Sequence, residues 1–218
     1  MRYATLNLLL GAAISFQGFL FPSLFIPLLW LGVSFVALGI TYWLRRPSLL
    51  GKRPDGLIAW WSWLAFLPLH IFIQAVWHLT RLCTREHPTD SISDQFMVGR
   101  RLLPTEVPAG IGLVVDLTSE FPEPFGVRQG RDYRLFPMLD ASVPDIRELR
   151  EFIAELPDVA TYVHCAQGHG RTGLFSIAYL VERGICATAT EALAVLTAAR
   201  PGIALNHEQR TFITAHFG

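Results

Sequence analysis

The chain contains a single lysine, Lys52, and only three cysteines, Cys83, Cys165 and Cys186. So sparse and odd a set of thiols excludes a disulfide-stapled scaffold and favours a reducing compartment, where a lone cysteine in a special setting is a candidate nucleophile. Charge is scarce too. Charged residues make up 17% of 218, with Lys plus Arg equal to Asp plus Glu at 18 each, so there is no basic field of the kind that holds nucleic acid. What replaces charge is apolar: 51% hydrophobic residues and a mean hydropathy of +0.36. That excludes a disordered chain and puts part of the protein in lipid. The neutral total hides a split. Residues 1–80 carry Arg2, Arg45, Arg46, Lys52 and Arg53 against Asp55 alone, a net +4, which leaves −4 for residues 81–218.

Residues 1–80 read as a membrane region. An almost uncharged run, residues 3–21, is long enough to cross a bilayer core as helix, and a second, residues 24–44, follows the turn signal Phe21-Pro22-Ser23. Together they form an all-α transmembrane hairpin. Arg2 before an apolar stretch also suits a signal peptide, but no small-residue cleavage site separates the two runs, so the segment is read as retained. A third stretch, residues 57–80, opens with Trp60, Trp61 and Trp63, rings suited to a headgroup layer. His70, Gln74, His78 and Arg81 recur at helical spacing and form one polar stripe. This stretch is therefore an amphipathic helix in the interface or a third membrane helix, its histidines serving packing and snorkelling. The basic cluster at 45–53 belongs in the cytoplasm by the positive-inside rule. With the third stretch lying flat, the C-terminal half stays on the same side; Arg81 and Arg85 oppose its crossing.

Residues 81–95 read as a linker, and residues 96–218 as an α/β domain with its own core. Strands are expected at 96–98, 112–117, 133–138 and 161–164, and helices at about 143–156, 171–183, 190–199 and 207–216. Ser142, three residues before Asp145, suggests a capping box for the first of these helices.

One segment speaks chemically: Tyr162-Val-His-Cys-Ala-Gln-Gly-His-Gly-Arg-Thr-Gly173. A strand ends at His164, Cys165 opens a loop containing Gly168 and Gly170, and Arg171 starts a helix. Glycines allow successive amides to turn inward as an anion nest, and the helix N-terminus adds positive potential at the same spot. The loop residues Ala166, Gln167, Gly168, His169 and Gly170, with Arg171, would bind a phosphate. A cysteine at a helix N-terminus beside a cation attacks as thiolate, and Arg171 can hold two oxygens at once.

The Cys-x5-Arg loop resembles the signature of the cysteine-dependent protein tyrosine phosphatases, in their dual-specificity branch, over about residues 95–218. Val114-Val-Asp-Leu-Thr118 resembles the strand before a variable loop in that family, Phe136-Pro-Met-Leu-Asp140 its general-acid segment, and Arg200-Pro201 with Leu205-Asn206 and Gln209 its closing signature. The resemblance implies a dual-specificity-phosphatase-like sheet flanked by helices. It implies Cys165 as the nucleophile of a phosphocysteine intermediate, Arg171 as phosphate clamp and Asp140 as general acid and then base. It also implies that Thr172 helps expel the thiolate and His164 orients the loop. No metal or other cofactor is required, because amides and Arg171 supply the charge stabilisation.

Asp145 is the alternative acid. His169 either faces substrate or solvent, Asp116 and Glu120 cap or solvate, and Cys83 and Cys186 are inert. Lipid-directed members commonly carry lysines in the loop, where this chain has Ala166 and His169. The membrane region nonetheless holds the loop near headgroups, so the partners are membrane lipid and a phosphorylated substrate, either a lipid monoester such as phosphatidylglycerophosphate or a phosphoprotein. The alternatives are a sulfurtransferase or arsenate-reductase-like thiol enzyme, and a phosphate-binding membrane adaptor without turnover.

Overall fold

The computed structural model describes residues 2–218. The chain divides into two compact units, the first made of Met1–Arg53, Leu57–Thr84 and Ser119–Pro122, the second of Pro54–Gly56, Arg85–Thr118 and Glu123–Gly218.

The first unit is helical. Helices α1 (Arg2–Leu20) and α2 (Phe25–Leu44) are joined by the one-turn 3-10 helix Pro22–Leu24, where the proline stops one helix and starts the next turn. The hairpin closes on small residues. A Cβ on Gly11 would lie 2.6 Å from Gly32 O, and one on Gly39 would lie 2.8 Å from Leu8. Glycine at these places lets the two backbones meet, as in membrane helix pairs. Helix α2 ends at Arg45, whose left-handed backbone (φ 53°) closes the last turn.

Helix α3 (Trp60–Cys83) is broken at Phe66 (φ −118°, ψ 19°), two residues before Pro68. The proline ring lacks an amide proton and crowds the preceding turn, and the kink follows. Ser34 of α2 donates to Ala65 O beside the kink (3.1 Å). The polar stripe of α3 does not share one fate. His70 is buried, with Nε2 3.2 Å from Ser62 Oγ, while Ser62 donates to Leu50 O (2.7 Å). Gln74 is half-buried and His78 exposed. Trp77, also buried, packs on Phe121 with ring centroids 6.3 Å apart. Three helices, Arg2–Leu20, Pro22–Leu44 and Trp60–Cys83, are long and apolar enough to cross a membrane.

The second unit is a mixed α/β sheet flanked by helices. Strands β1 (Thr89–Ser93), β2 (Phe96–Arg100), β3 (Leu113–Thr118), β4 (Asp132–Met138) and β5 (Thr161–Cys165) lie in the order β1-β2-β5-β3-β4. Only β1 runs antiparallel to its neighbour. It lies inside the segment 81–95 read as linker: Thr-Asp-Ser-Ile-Ser shows no apolar run, because an edge strand offers just Ile92 to the core. All residues of β3 and β5 are buried, as expected for central parallel strands. Side chains alternate along them, with Leu113, Val115, Leu117 and Val163 in the main core and Val114 and Tyr162 in a smaller one on the opposite face.

The short helix α4 (Phe125–Arg128) follows β3, and α5 (Ile146–Glu155), α6 (Gly170–Glu182), α7 (Ala189–Ala199) and α8 (His207–Phe217) complete the unit. Asp145 caps α5 by accepting from Arg147 N (2.8 Å) and Glu148 N; Ser142, the cap expected from spacing, instead donates to Leu139 O (2.7 Å). Pro144 pushes the residue before it out of helical geometry, so the helix begins later than the sequence pattern suggests. Helix α6 is buried continuously from Arg171 to Leu180. It anchors what lies at its N-terminus.

Candidate active site

Strand β5 ends at Cys165, whose thiol is buried with 4% of the residue exposed. The next five residues climb back to start α6, with His169 at its N-cap and Gly173 N donating to His169 O (2.7 Å). The loop is held from outside by its carbonyls. Ala166 O accepts from Arg101 N (3.3 Å), Gln167 O from Arg200 (2.9 Å) and Gly168 O from Arg200 Nε (2.8 Å). In a planar trans peptide the following N–H points the opposite way, so outward carbonyls turn the amides of residues 167 to 169 inward. One of these inward amides is seen at work: Gly168 N donates to Cys165 Sγ at 3.3 Å. Gly168 has φ +75°, and a Cβ there would strike the backbone of Gly99 and lie 2.7 Å from Arg100 N. Only glycine fits this turn against β2.

Arg171 begins the helix with its guanidinium buried; one terminal nitrogen donates to Met138 O (3.1 Å) and Nε lies 3.3 Å from Asp140 Oδ1. The structure therefore brings Arg171 of α6 against Asp140 in the turn after β4, and the loop that runs from Cys165 leads into the helix carrying Arg171. Asp140 is exposed, whereas Asp145 is committed to capping α5. Thr172 Oγ1 is buried and makes no hydrogen bond among the described residues, so it can serve a group arriving in the loop.

The turn that carries Asp140 is pinned by the closing signature. Asn206 donates to Ala141 O (2.9 Å) and Gln209 to Ser142 O (3.3 Å), while Ser142 bonds back to Leu139. Ala141 sits at φ +57°, a left-handed conformation that costs a non-glycine residue about 1–2 kcal/mol. Asn206 and Gln209 also cap α8 reciprocally.

His164, just before Cys165, is fully buried and stacks on Tyr162 (centroids 5.5 Å, 17°). Its Nε2 faces Glu123 Oε1 at 3.7 Å, and Arg101 Nε is 3.6 Å from the other oxygen of that buried carboxylate. Asp116 lies in the same cluster, accepting from Thr118 N, Thr118 Oγ1 and Tyr133 Oη, each at 2.8 Å. Burial, then the Asp116 charge, pushes the Tyr133 phenol far above its ordinary range. Asp116, Glu123 and His164 have the donor atoms of a metal site within 4.8 Å of one another. The Thr118 and Tyr133 donors satisfy Asp116, and Arg101 sets a positive charge against the Glu123 carboxylate. The set reads as a buried ion network behind the loop.

His169 is tied to Glu86, Nε2 to Oε2 at 2.7 Å. Cys186 is buried and its thiol raised by burial and by Glu191; Cys83 is exposed. Sequence reasoning missed Glu86, Arg101 and Glu123, which lie in no motif. Arg200 it noticed only as part of a closing pattern.

Residues 100–216 match the family model described as PTP-SAK, Swiss Army Knife protein, DSP-PTPase phosphatase domain. Over 74 residues, 32% of this chain, the sequence is 36% identical to the tyrosine-protein phosphatase CDC14 homologue of Schizosaccharomyces pombe, and that stretch is 14% of the yeast protein. The chain thus spans a small part of that relative. Among solved structures, Tk-PTP in the active form is similar at a TM-score of 0.53 with 22% identity, covering 59% of this chain and 95% of that one. Human DUSP28 is similar at 0.50 and 17%, covering 59% and 91%. Human tyrosine phosphatase-like serine/threonine/tyrosine-interacting protein is similar at 0.51 and 19%, covering 60% and 96%. These likenesses establish a common fold, and chemistry has to be argued from the site.

Proposed function

The chain belongs to the dual-specificity branch of the cysteine-dependent protein tyrosine phosphatases, and from that premise we propose that it is a membrane-anchored hydrolase of phosphomonoesters acting through Cys165. The Gly168 amide aimed at the sulfur carries this reading, because a donor there stabilises a thiolate and then an equatorial phosphoryl oxygen. In the first step Sγ attacks phosphorus in line, the ester P–O bond breaks, and Asp140 gives its proton to the leaving oxygen. In the second step Asp140 takes a proton from water, whose oxygen attacks phosphorus; the P–S bond breaks and inorganic phosphate leaves. Arg171 holds two phosphoryl oxygens through both steps, and Thr172 donates to the departing sulfur. His164, anchored by Glu123, fixes the end of β5. The 3.3 Å contact between Arg171 and Asp140 supports ester hydrolysis over sulfur or arsenic transfer, since an acid beside the clamp is useful only when a leaving oxygen must be protonated.

The substrate class we favour is a phosphate monoester at a membrane surface, a lipid such as phosphatidylglycerophosphate or a phosphoprotein, because tethering raises the local concentration of either. Helices α1 and α2 serve as the anchor. Arg81 in the last turn of α3 and Arg85 just after it oppose its crossing. We therefore place α3 along the interface and the catalytic unit on the cytoplasmic side with the basic 45–53 loop. The test is the purified full chain in lipid nanodiscs, assayed on p-nitrophenyl phosphate, a phosphotyrosine peptide and phosphatidylglycerophosphate, each beside Cys165→Ser. Phosphate release abolished by the variant supports the reading; release that persists in it overturns the covalent mechanism. A reporter fused after Gly218 decides the side.

A further inference from the structure

We infer that Arg200 is a positioning residue for the phosphate-binding loop, and that Asp90 and Glu86, from the segment read as a linker, are the residues that hold Arg200 in place. This assignment rests on the phosphatase reading above and adds to it a part of the chain with no motif.

The geometry is a complete accounting of one side chain. A guanidinium has five N–H donors, and Arg200 directs them at five acceptors. Nε donates to Gly168 O (2.8 Å), and one terminal nitrogen to Gln167 O (2.9 Å) and Glu86 Oε2 (3.1 Å). The other donates to His87 O (3.0 Å) and Asp90 Oδ2 (2.6 Å). Arg200 is 2% exposed. A buried cation needs nearby negative charge, and Asp90 and Glu86 provide it. Glu86 also takes His169, so the loop is gripped through its backbone by Arg200 and through a side chain by Glu86. The turn after Arg200 is shaped to allow this: a Cβ on Gly202 would strike Glu86 and lie 2.6 Å from His169 Nε2.

Two of the five bonds reach successive peptide units of the loop. They decide which way those units face, and hence whether the amides of Gly168 and His169 point at the sulfur and the phosphoryl oxygens. Lysine has three donors around one point and cannot meet five acceptors set out in a plane. Without the guanidinium the carbonyls of Gln167 and Gly168 lose their outward partners, and preorganisation is lost even where the fold survives. Residues 86–90 thus belong to the catalytic machinery at second hand, through Arg200.

The test uses the full chain in detergent and tungstate as a tetrahedral oxyanion probe. Wild type, Arg200→Lys and Asp90→Asn are compared for tungstate affinity by calorimetry, for kcat and KM on p-nitrophenyl phosphate, and for thermal stability. Ile213→Val, a core change in α8, controls for stability loss alone. Arg200→Lys is expected to weaken tungstate binding at least about tenfold and to lower kcat more than it raises KM, since inward amides act most on the transition state. Asp90→Asn is expected to show the same pattern at a few-fold, and Ile213→Val none of it. Either loop variant folded, with wild-type tungstate affinity and kcat, overturns the assignment; should Arg200→Lys fail to fold, Asp90→Asn decides. A wild-type chain that neither binds tungstate nor loses turnover in Cys165→Ser overturns the phosphatase reading instead, which is a distinguishable result.

Discussion

Arg171 and Asp140 meet at 3.3 Å although they come from the first turn of α6 and the turn after β4, one side chain 2% exposed and the other 67%. The second bond of Arg171, to Met138 O, lies just ahead of that acid. One guanidinium therefore joins the start of α6 to the turn after β4, the two parts to which the proposed mechanism gives the phosphate and the proton.

That pairing predicts a leaving-group signature for Asp140→Asn. General acid catalysis contributes about 10²–10⁴-fold, and it matters most where the departing oxygen is basic. We expect kcat to fall at least about 100-fold on an alkyl phosphate and far less on p-nitrophenyl phosphate, with KM little changed, as steady-state kinetics on the two esters will report. Asp145→Asn, at the cap of α5, should instead lower the melting temperature, with a stability loss of about 1 kcal/mol or less, and leave the ratio of the two rates alone.

Gly168→Ala should abolish phosphate binding. The new Cβ meets backbone, not a flexible side chain, and φ is +75°, so the loop must move away from β2 or take up strain. A residue forced into such a conformation costs about 1–3 kcal/mol. Differential scanning calorimetry should show that loss, and tungstate binding should be undetectable. A variant with normal affinity would mean that the inward turn of this amide is not what seats the anion.

At Ala141 the opposite change is informative. Its left-handed backbone is imposed by the bond from Asn206, so Ala141→Gly should stabilise the fold by up to about 1 kcal/mol by removing the strain. Asn206→Ala should release the turn and lower kcat about tenfold on esters that need Asp140, while also uncapping α8. A denaturant titration and the same ester pair separate the two effects.

Much of this was legible beforehand, for reasons that differ by residue. Buried parallel strands announce themselves as apolar runs, so β3 and the end of β5 could be placed, and a loop that must turn its amides inward needs Gly168 and Gly170 at set intervals. Strand β1 was hidden because an edge strand with one core residue has no periodicity to read. Glu123 and Arg101 were hidden because a buried ion pair depends on three-dimensional complementarity; neither sits at a spacing that chemistry demands. The stripe His70, Gln74 and His78 was visible as a pattern, but which member is buried depends on neighbours outside the stripe: His70 meets Ser62 and the Trp63 ring, whereas His78 is exposed.

The catalytic unit should also have an alkaline limit set by its phenols. Burial raises Tyr133, Tyr162 and Tyr179 above their ordinary value; Asp116 adds to the first, while Arg200 and Arg183 oppose the rise in the other two. In the folded state these groups keep their protons above about pH 10, where an unfolded tyrosine has lost its own. The unfolded chain then binds fewer protons than the folded one, and stability falls with rising pH. It is fully present below about pH 10 and is lost as the pH climbs toward the folded-state values. Absorbance near 295 nm should therefore show these tyrosines ionising only together with the loss of near-UV circular dichroism, in one step above about pH 10. Tyr133→Phe removes one such group, so its stability should fall less steeply over that range, although at neutral pH it loses the bond to Asp116 and about 1 kcal/mol with it. Smooth ionisation of all the phenols near pH 10 with the fold intact would show that Tyr133 and Tyr162 are open to solvent and that the network behind His164 is not closed.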